Sequence, residues 1–195
     1  MTTKNKTPIL LFSYGSNMSN NELTKYARKI SNTTNEHFNV LDIGYLPKHQ
    51  FHYLPLYTKS SNRIIKTAKS TVINTPSTFN PSTSAQPPKV YGTITQVSPE
   101  LYKIIVKKEG VHHNYYKPVT KVITSLVTKK RYKAIVFVMT DTYINKAKQR
   151  CINRTPNDGI LPSILPSIRY ENLIVNAAKD YNFPNTYINT YLKKH

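Results

Sequence analysis

The carboxylates are the residues of this chain whose chemistry best suits proton transfer. They are Glu22, Glu36, Asp42, Glu100, Glu109, Asp141, Asp158, Glu171 and Asp180. Glu22 and Glu100 stand at predicted helix starts, where a negative charge stabilises the helix dipole. Glu109 differs because it follows an apolar helix face and precedes Gly110, which suits a left-handed helix end. A glutamate at a helix end more often has a structural role, so Glu109 is at this point only a candidate acid–base group.

Other reactive residues are few. The single cysteine, Cys151, lies in a polar segment and excludes a disulfide framework or a multi-cysteine zinc site. His112 and His113 would face opposite sides of a strand, and no acidic or cysteine partner is near them in the sequence. We therefore expect neither a metal site nor a cofactor.

Positive charge dominates the composition. Lys and Arg number 28 against 9 Asp and Glu, a net charge of +19. Such a charge attracts nucleic acid, anionic lipid or acidic proteins. The basic residues are scattered, and most are lysine rather than arginine, the better reader of phosphates and bases. A solvated surface is favoured, while contact with a polyanion stays open, as does stacking of the 15 tyrosines on bases.

The length of 195 residues predicts one domain. We expect residues 1–8 to form a flexible N-terminus and residues 9–195 to form the domain. No apolar run approaches the ~20 residues of a membrane helix, and the one after the basic start is too short for a signal peptide. With a single cysteine as well, a cytoplasmic protein without membrane contact is expected. The oligomeric state, monomer or homodimer, is open.

Periodicity predicts the elements that must position Glu109. Strand patterns cover residues 9–13, 38–46, 50–57, 63–73, 90–97, 115–127 and 132–140. Helices are predicted at residues 19–30, 99–109, 167–181 and 184–193, the first two beginning with the typical capping residues Ser19 and Ser98. Polar segments near 74–89 and 141–165 predict extended loops. Strands in the middle and helices at the ends indicate an α+β domain.

Four short motifs resemble those of gamma-glutamylcyclotransferase-like proteins. They are Tyr14-Gly15-Ser16-Asn17, Val90-Tyr91-Gly92, Glu109-Gly110-Val111 with Tyr116, and Pro166-Ser167-Ile168-Arg169-Tyr170, similar to that family's Y-G-S-N, V-x-G, E-G-V-x4-Y and P-S-x-x-Y. They follow the family's order over residues 9–192. The resemblance implies a single α+β domain, a mixed, partly closed β-barrel of about six or more strands flanked by helices, with the Y-G-S-N turn and Glu109 at one barrel mouth.

The resemblance also implies an activity. The family's reaction is attack of the α-amine of a small gamma-glutamyl substrate on its own γ-carbonyl, which gives 5-oxoproline and a free amine or amino acid. It needs no metal, cofactor or enzyme nucleophile. Glu109 would be the acid–base catalyst. The implied substrate contacts are Leu11, Phe12, Ser13, Tyr14, Gly15, Ser16, Asn17, Tyr116 and Tyr170. Gly15 would let the backbone approach the ligand, and the N-terminus of the following helix would favour its carboxylate.

The sequence departs from the family's pattern in three places. Leu11 replaces a frequent tyrosine, Ile105-Val106-Lys107-Lys108 occupies the place of a Leu-Asp pair, and Ala177 replaces a small glycine. These departures leave the leaving group of the substrate open. Together with the basic surface, they keep an alternative: a non-catalytic binding protein on the same fold that contacts nucleic acid, nucleotide or a protein partner.

Overall fold

The computed structural model describes residues 9–31, 38–60, 63–74, 88–152 and 165–195. Its strands are β1 (Ile9–Ser13), β2 (Asn39–Pro47), β3 (His49–Ser60), β4 (Arg63–Asn74), β5 (Lys89–Val97), β6 (Tyr116–Ser125) and β7 (Arg131–Met139). Its helices are α1 (Asn20–Ser31), α2 (Pro99–Lys108), α3 (Asp141–Ile152), α4 (Ile168–Asp180) and α5 (Asn185–Tyr187), which continues into a π-helical turn (Ile188–Leu192). None of the helices in these ranges is long and apolar enough to cross a membrane.

A closed barrel forms the centre of the fold, with the strand order β1-β5-β2-β6-β7. Neighbouring strands are antiparallel, except that β7 runs parallel to β1 and closes the sheet. The predicted α+β class with a mixed barrel is therefore confirmed. The barrel closes completely and with five strands, whereas six or more strands and partial closure were expected. The difference arises because β3 and β4 pair with each other along their whole length instead of joining the barrel.

The β3–β4 hairpin packs against the barrel through an apolar face. Its buried side chains include Phe51, Tyr53, Leu54, Ala68 and Val72. Thr71 Oγ1 accepts a hydrogen bond from the backbone N–H of Met139 at 3.0 Å, which ties β4 to the end of β7. Tyr53 donates its hydroxyl to the carbonyl of Leu192 at 3.0 Å and so ties β3 to the C-terminal turn. These contacts place the middle of β4 beside the end of β1.

The helix starts agree with the predicted capping residues. Ser98 Oγ accepts a hydrogen bond from the N–H of Leu101 at 3.1 Å, and Ser19 Oγ accepts one from Glu22 at 3.4 Å. The end of α2 also follows the prediction, because Gly110 has a φ of 63°, the left-handed conformation that glycine adopts without a steric penalty. The chain therefore turns sharply just after Glu109.

The loop predicted at residues 141–165 is wrong in its first half, where the structure has α3. Thr140 directly precedes the helix, and its hydroxyl oxygen accepts a hydrogen bond from the N–H of Tyr143 at 3.3 Å. Tyr143 is buried against the ring of Tyr115, so one tertiary contact supports a helix whose own sequence has little apolar periodicity. Residues 153–164 lie outside the described residues, as do residues 1–8 and 75–87, where a flexible terminus and another loop were predicted.

Two buried threonines on β4 and β5 give opposite predictions for the same substitution. Thr93 Oγ1 has no hydrogen-bond partner within the described ranges, whereas Thr71 Oγ1 accepts from Met139, and both residues are fully buried. An unpaired buried hydroxyl costs about 1–3 kcal/mol. We expect Thr93→Val to raise the free energy of unfolding by about 1 kcal/mol and Thr71→Val to lower it by about 1 kcal/mol or more. Urea denaturation measures both, and a loss of stability in Thr93→Val would contradict the assignment.

Candidate functional site

A cavity of about 90 Å³ lies where the end of β1, the end of α2 and the middle of β4 meet. All the residues that were predicted for the site line it: Leu11, Phe12, Ser13, Tyr14, Gly15, Ser16, Asn17, Glu109, Tyr116 and Tyr170. The fold thus brings together residues that are up to 159 positions apart in the sequence (170 minus 11). Their roles in binding and catalysis stay predictions. Five further residues, Lys69, Ser70, Lys108, Tyr115 and Phe137, also line the cavity and were not predicted.

Gly15 allows strand β4 to approach the turn that follows β1. A Cβ atom at this position would lie 2.1 Å from Ser70 Oγ and 3.9 Å from the Tyr170 hydroxyl oxygen. Those two oxygens are 3.1 Å apart and hydrogen-bonded. Glycine is therefore needed here so that the Ser70 side chain can approach the backbone closely, rather than for an unusual φ, which is −122°.

The turn at Gly15 lines the cavity. Residues Ser16–Met18 form a single 3-10 turn, and α1 begins only at Asn20, which does not line the cavity. The start of α1, where an anion site was expected, is therefore not at the cavity. In the part of the chain that the structure describes, no protein acceptor takes the N–H groups of Gly15, Ser16 or Asn17. These three groups are available to a bound anion or carbonyl oxygen.

The Glu109 carboxylate is held at one of its two oxygens. Asn17 Nδ2 donates a hydrogen bond to Oε1 at 2.9 Å, and Lys108 Nζ lies 3.7 Å from the same atom. Lys108 also donates a hydrogen bond to Asn17 Oδ1, which joins the three side chains into one cluster. Among the described residues, no side chain donates a hydrogen bond to Oε2 or forms an ion pair with it. The Glu109 side chain is 15% exposed, so the carboxylate is largely shielded from solvent.

A second buried carboxylate, Glu171, serves the structure rather than the cavity. It is only 4% exposed, and its oxygens accept the N–H groups of Lys194 at 3.0 Å and His195 at 3.3 Å. These contacts fasten the C-terminus to α4. Of the carboxylates that the structure describes, Glu109 is thus the one that lines the cavity.

Three tyrosines form neutral, hydrogen-bonded walls. Tyr14 donates its hydroxyl to the carbonyl of Phe137 at 2.5 Å, Tyr116 donates to the carbonyl of Ser70 at 2.7 Å, and Tyr170 bonds to the Ser70 hydroxyl. Burial raises the pKa of all three phenols, and the negative charge of Glu109 raises it further. The phenols therefore stay protonated near neutral pH and shape the cavity as hydrogen-bonding groups rather than as bases.

Lys69 on β4 adds a positive charge that the sequence analysis did not find. Its ammonium nitrogen lies 5.1 Å from the centre of the Tyr170 ring. Burial lowers the pKa of Lys69 and the charge of Lys108 lowers it further, whereas Glu109 opposes this change. Strand periodicity placed residue 69 in a strand, but no local signal shows that this strand packs beside the turn after β1.

The described residues contain no group of three or more His, Cys, Asp or Glu side chains that could hold a metal ion. His112 and His113 do not lie on a strand, as had been expected, but in the 3-10 turn Val111–His113, where their rings are 3.9 Å apart. This turn is the direct result of the left-handed Gly110, which ends α2 and reverses the chain before β6 begins.

Residues 89–191, more than half of the chain, match a protein family described as the AIG2-like family. The chain belongs to the AIG2-like family. The matched segment of this AIG2-like protein contains Gly92, Glu109 and Tyr170, while the turn after β1 lies before it. Comparison with curated protein sequences gives no significant match.

Solved structures share the fold of this AIG2-like protein. One, named "Gamma-glutamyl cyclotransferase", is 15% identical, has a TM-score of 0.62 and aligns over 96% of this chain and 92% of its own. The uncharacterized protein loc79017 from Homo sapiens is 17% identical with a TM-score of 0.63, over 94% of this chain and 86% of that one. YkqA from Bacillus subtilis is 16% identical with a TM-score of 0.62, over 98% of this chain but only 58% of its own length. The TM-scores show that this chain has a gamma-glutamylcyclotransferase-like fold.

Proposed function

We propose that this AIG2-like protein is a gamma-glutamylcyclotransferase-type enzyme that releases 5-oxoproline from a gamma-glutamyl amide. The observation that carries the proposal is the Glu109 carboxylate, which lines a small cavity and whose Oε1 is hydrogen-bonded by Asn17, while Oε2 receives no hydrogen bond from a described side chain. The turn after β1 lines the same cavity, and its N–H groups at Gly15, Ser16 and Asn17 have no acceptor among the described residues. A base and an anion-binding turn at one site are what an intramolecular acyl transfer requires.

The proton balance assigns a role to Glu109. Near neutral pH the substrate's α-amine is mostly ammonium, and its nitrogen cannot attack until a proton leaves. Glu109 takes that proton through Oε2, a bond forms between the α-nitrogen and the γ-carbon, and the carbonyl becomes an oxyanion. The bond from the γ-carbon to the amide nitrogen then breaks, and Glu109 returns this proton to the leaving nitrogen. The ring nitrogen still carries one proton too many, and the freed carboxylate takes this second proton and passes it to the released amine, which leaves as ammonium. No external nucleophile takes part, because the substrate folds onto itself.

The cavity walls would hold the folded substrate. The N–H groups of Gly15, Ser16 and Asn17 would receive the substrate's anionic oxygens, and preorganised donors of this kind strongly stabilise charge that develops in a transition state. The buried phenols of Tyr116 and Tyr170, both fixed by Ser70, would limit the space around the five-membered ring that forms. Asn17 would also fix the direction of the carboxylate through its bond to Oε1.

A panel of gamma-glutamyl compounds tests the reaction. It should include a gamma-glutamyl amino acid, glutathione and a gamma-glutamyl alkylamine, with 5-oxoproline measured by mass spectrometry. At least one compound is expected to give 5-oxoproline and its free amine in equal amounts. The same compound with an acetylated α-amine serves as control and should give no product, because the attacking nitrogen is blocked. Release of the amine from the acetylated control would indicate hydrolysis by water and would contradict the cyclisation.

A further inference from the structure

The cavity at Glu109 is small for a whole substrate. Its volume of about 90 Å³ is well below the ~300–1,000 Å³ of pockets that enclose a drug-sized ligand. It suits the glutamyl end, which contains the reacting atoms. The leaving group attached to the γ-carbon must therefore extend out of this cavity and be recognised outside it.

A larger groove begins where the cavity ends. Lys69 and Tyr170 line both the cavity and this groove, whose volume is about 600 Å³. Thr67, Leu165 and Ser167 line its outer part. The two spaces therefore share one wall, and a leaving group that passes this wall must pass the ammonium of Lys69 and the ring of Tyr170.

Lys69 has no acidic partner in the described part of the chain. Its ammonium lies against the Tyr170 ring, with no ion pair or hydrogen bond to a carboxylate. Lys108 differs, because its ammonium is already engaged by Asn17 and Glu109. The charge of Glu109 raises the pKa of Lys69 but forms no ion pair with it, so a half-buried ammonium at this position is stabilised further once an anion binds directly beside it.

We infer that Lys69 binds a carboxylate on the leaving group, so that the enzyme prefers gamma-glutamyl amino acids and peptides over gamma-glutamyl amines. The inference rests on the proposed function, since it assigns the substrate class of the same site. The substrate's own α-carboxylate is not the anion assigned to Lys69, because the proposed mechanism assigns it to the N–H groups of the turn after β1, whose residues line the small cavity but not the groove. Lys69 is a specificity-determining residue and takes no part in proton transfer.

Two substrates that differ in one group test this inference. Gamma-glutamyl-alanine has a carboxylate on its leaving group, and gamma-glutamyl-alaninamide has a neutral amide there. For the wild-type protein we expect kcat/KM to be about 10- to 100-fold higher for the acid, the range of a charge-assisted hydrogen bond. Lys69→Met should bring the ratio of acid to amide close to one, and Lys69→Arg should retain most of the preference.

The matched control is Lys133→Met, the same substitution at an exposed position on β7 away from the cavity. It should keep the wild-type ratio. Equal kcat/KM for acid and amide in the wild-type protein, or an unchanged ratio in Lys69→Met, would overturn the inference and leave the cyclisation intact.

A binding measurement separates this inference from the proposed reaction. Calorimetric titration of the Glu109→Gln protein, with and without Lys69→Met, compares the acid and the amide without turnover. Tighter binding of the acid that requires Lys69 supports the carboxylate site, even if neither compound yields 5-oxoproline and the proposed reaction fails. Equal binding of the two compounds overturns the carboxylate site whatever the turnover shows.

Discussion

Glu109→Gln is expected to lower the rate of 5-oxoproline formation by about 10²–10⁴-fold, the contribution of general acid–base catalysis. The reason is that an amide cannot take the proton from the α-ammonium or return one to the leaving nitrogen. In the proposed mechanism the turn after β1 and the tyrosine walls bind the substrate and Glu109 only moves protons, so kcat should fall far more than KM changes. Steady-state kinetics on the best substrate of the panel measures both.

The fold should tolerate this substitution. A glutamine side chain has the size of glutamate and can still accept the hydrogen bond from Asn17, so the free energy of unfolding should change by less than about 1 kcal/mol. Glu100→Gln is the matched control, since Glu100 lies exposed in the first turn of α2, the helix that Glu109 follows, and does not line the cavity. It should retain the wild-type rate. A wild-type rate in Glu109→Gln would exclude Glu109 as the acid–base group.

Gly92→Ala is expected to have the largest effect on stability. A Cβ atom at this position would lie 2.3 Å from the carbonyl oxygen of Ser13 and 2.7 Å from Cζ of Phe12. Neither neighbour can move aside easily, because β1 pairs with β5 on one side and β7 on the other, and the Phe12 ring is buried. Overpacking of this kind costs about 3 kcal/mol, at the upper end of its usual range.

Thermal and urea denaturation measure this loss. About 3 kcal/mol corresponds to a fall in Tm of roughly 6–12 °C for a domain of this size. Gln96→Ala, at a half-buried position on the same strand, is the control and should change the free energy of unfolding by less than about 1 kcal/mol. A wild-type Tm for Gly92→Ala would show that β1 and β5 are not in such close contact.

The local elements followed from the sequence because their signals are local. Apolar periodicity, the capping residues Ser19 and Ser98 and the left-handed Gly110 each act within one or two turns of chain. Helix α3 was missed for the converse reason, since its stability depends on the packing of Tyr143 against a residue from another element. The number of barrel strands also depended on tertiary structure. Strands β3 and β4 pair only with each other, and nothing in the sequence of either strand indicates this pairing.

The residues of the candidate site also fall into two groups, those that the sequence identified and those that only the fold revealed. Motif resemblance named Glu109, the turn at Gly15 and Tyr170, and each of these residues lines the cavity. Lys69 and Ser70 could not be found, because their place beside Gly15 depends on how the β3–β4 hairpin packs on the barrel. The sequence by itself thus determined the elements and the residues whose chemistry is carried by a short motif. Only the tertiary structure decided which charges share the cavity. The reason is that Ser70 on β4 packs against Gly15 in the turn after β1, a contact between residues 55 positions apart (70 minus 15) that no local signal determines.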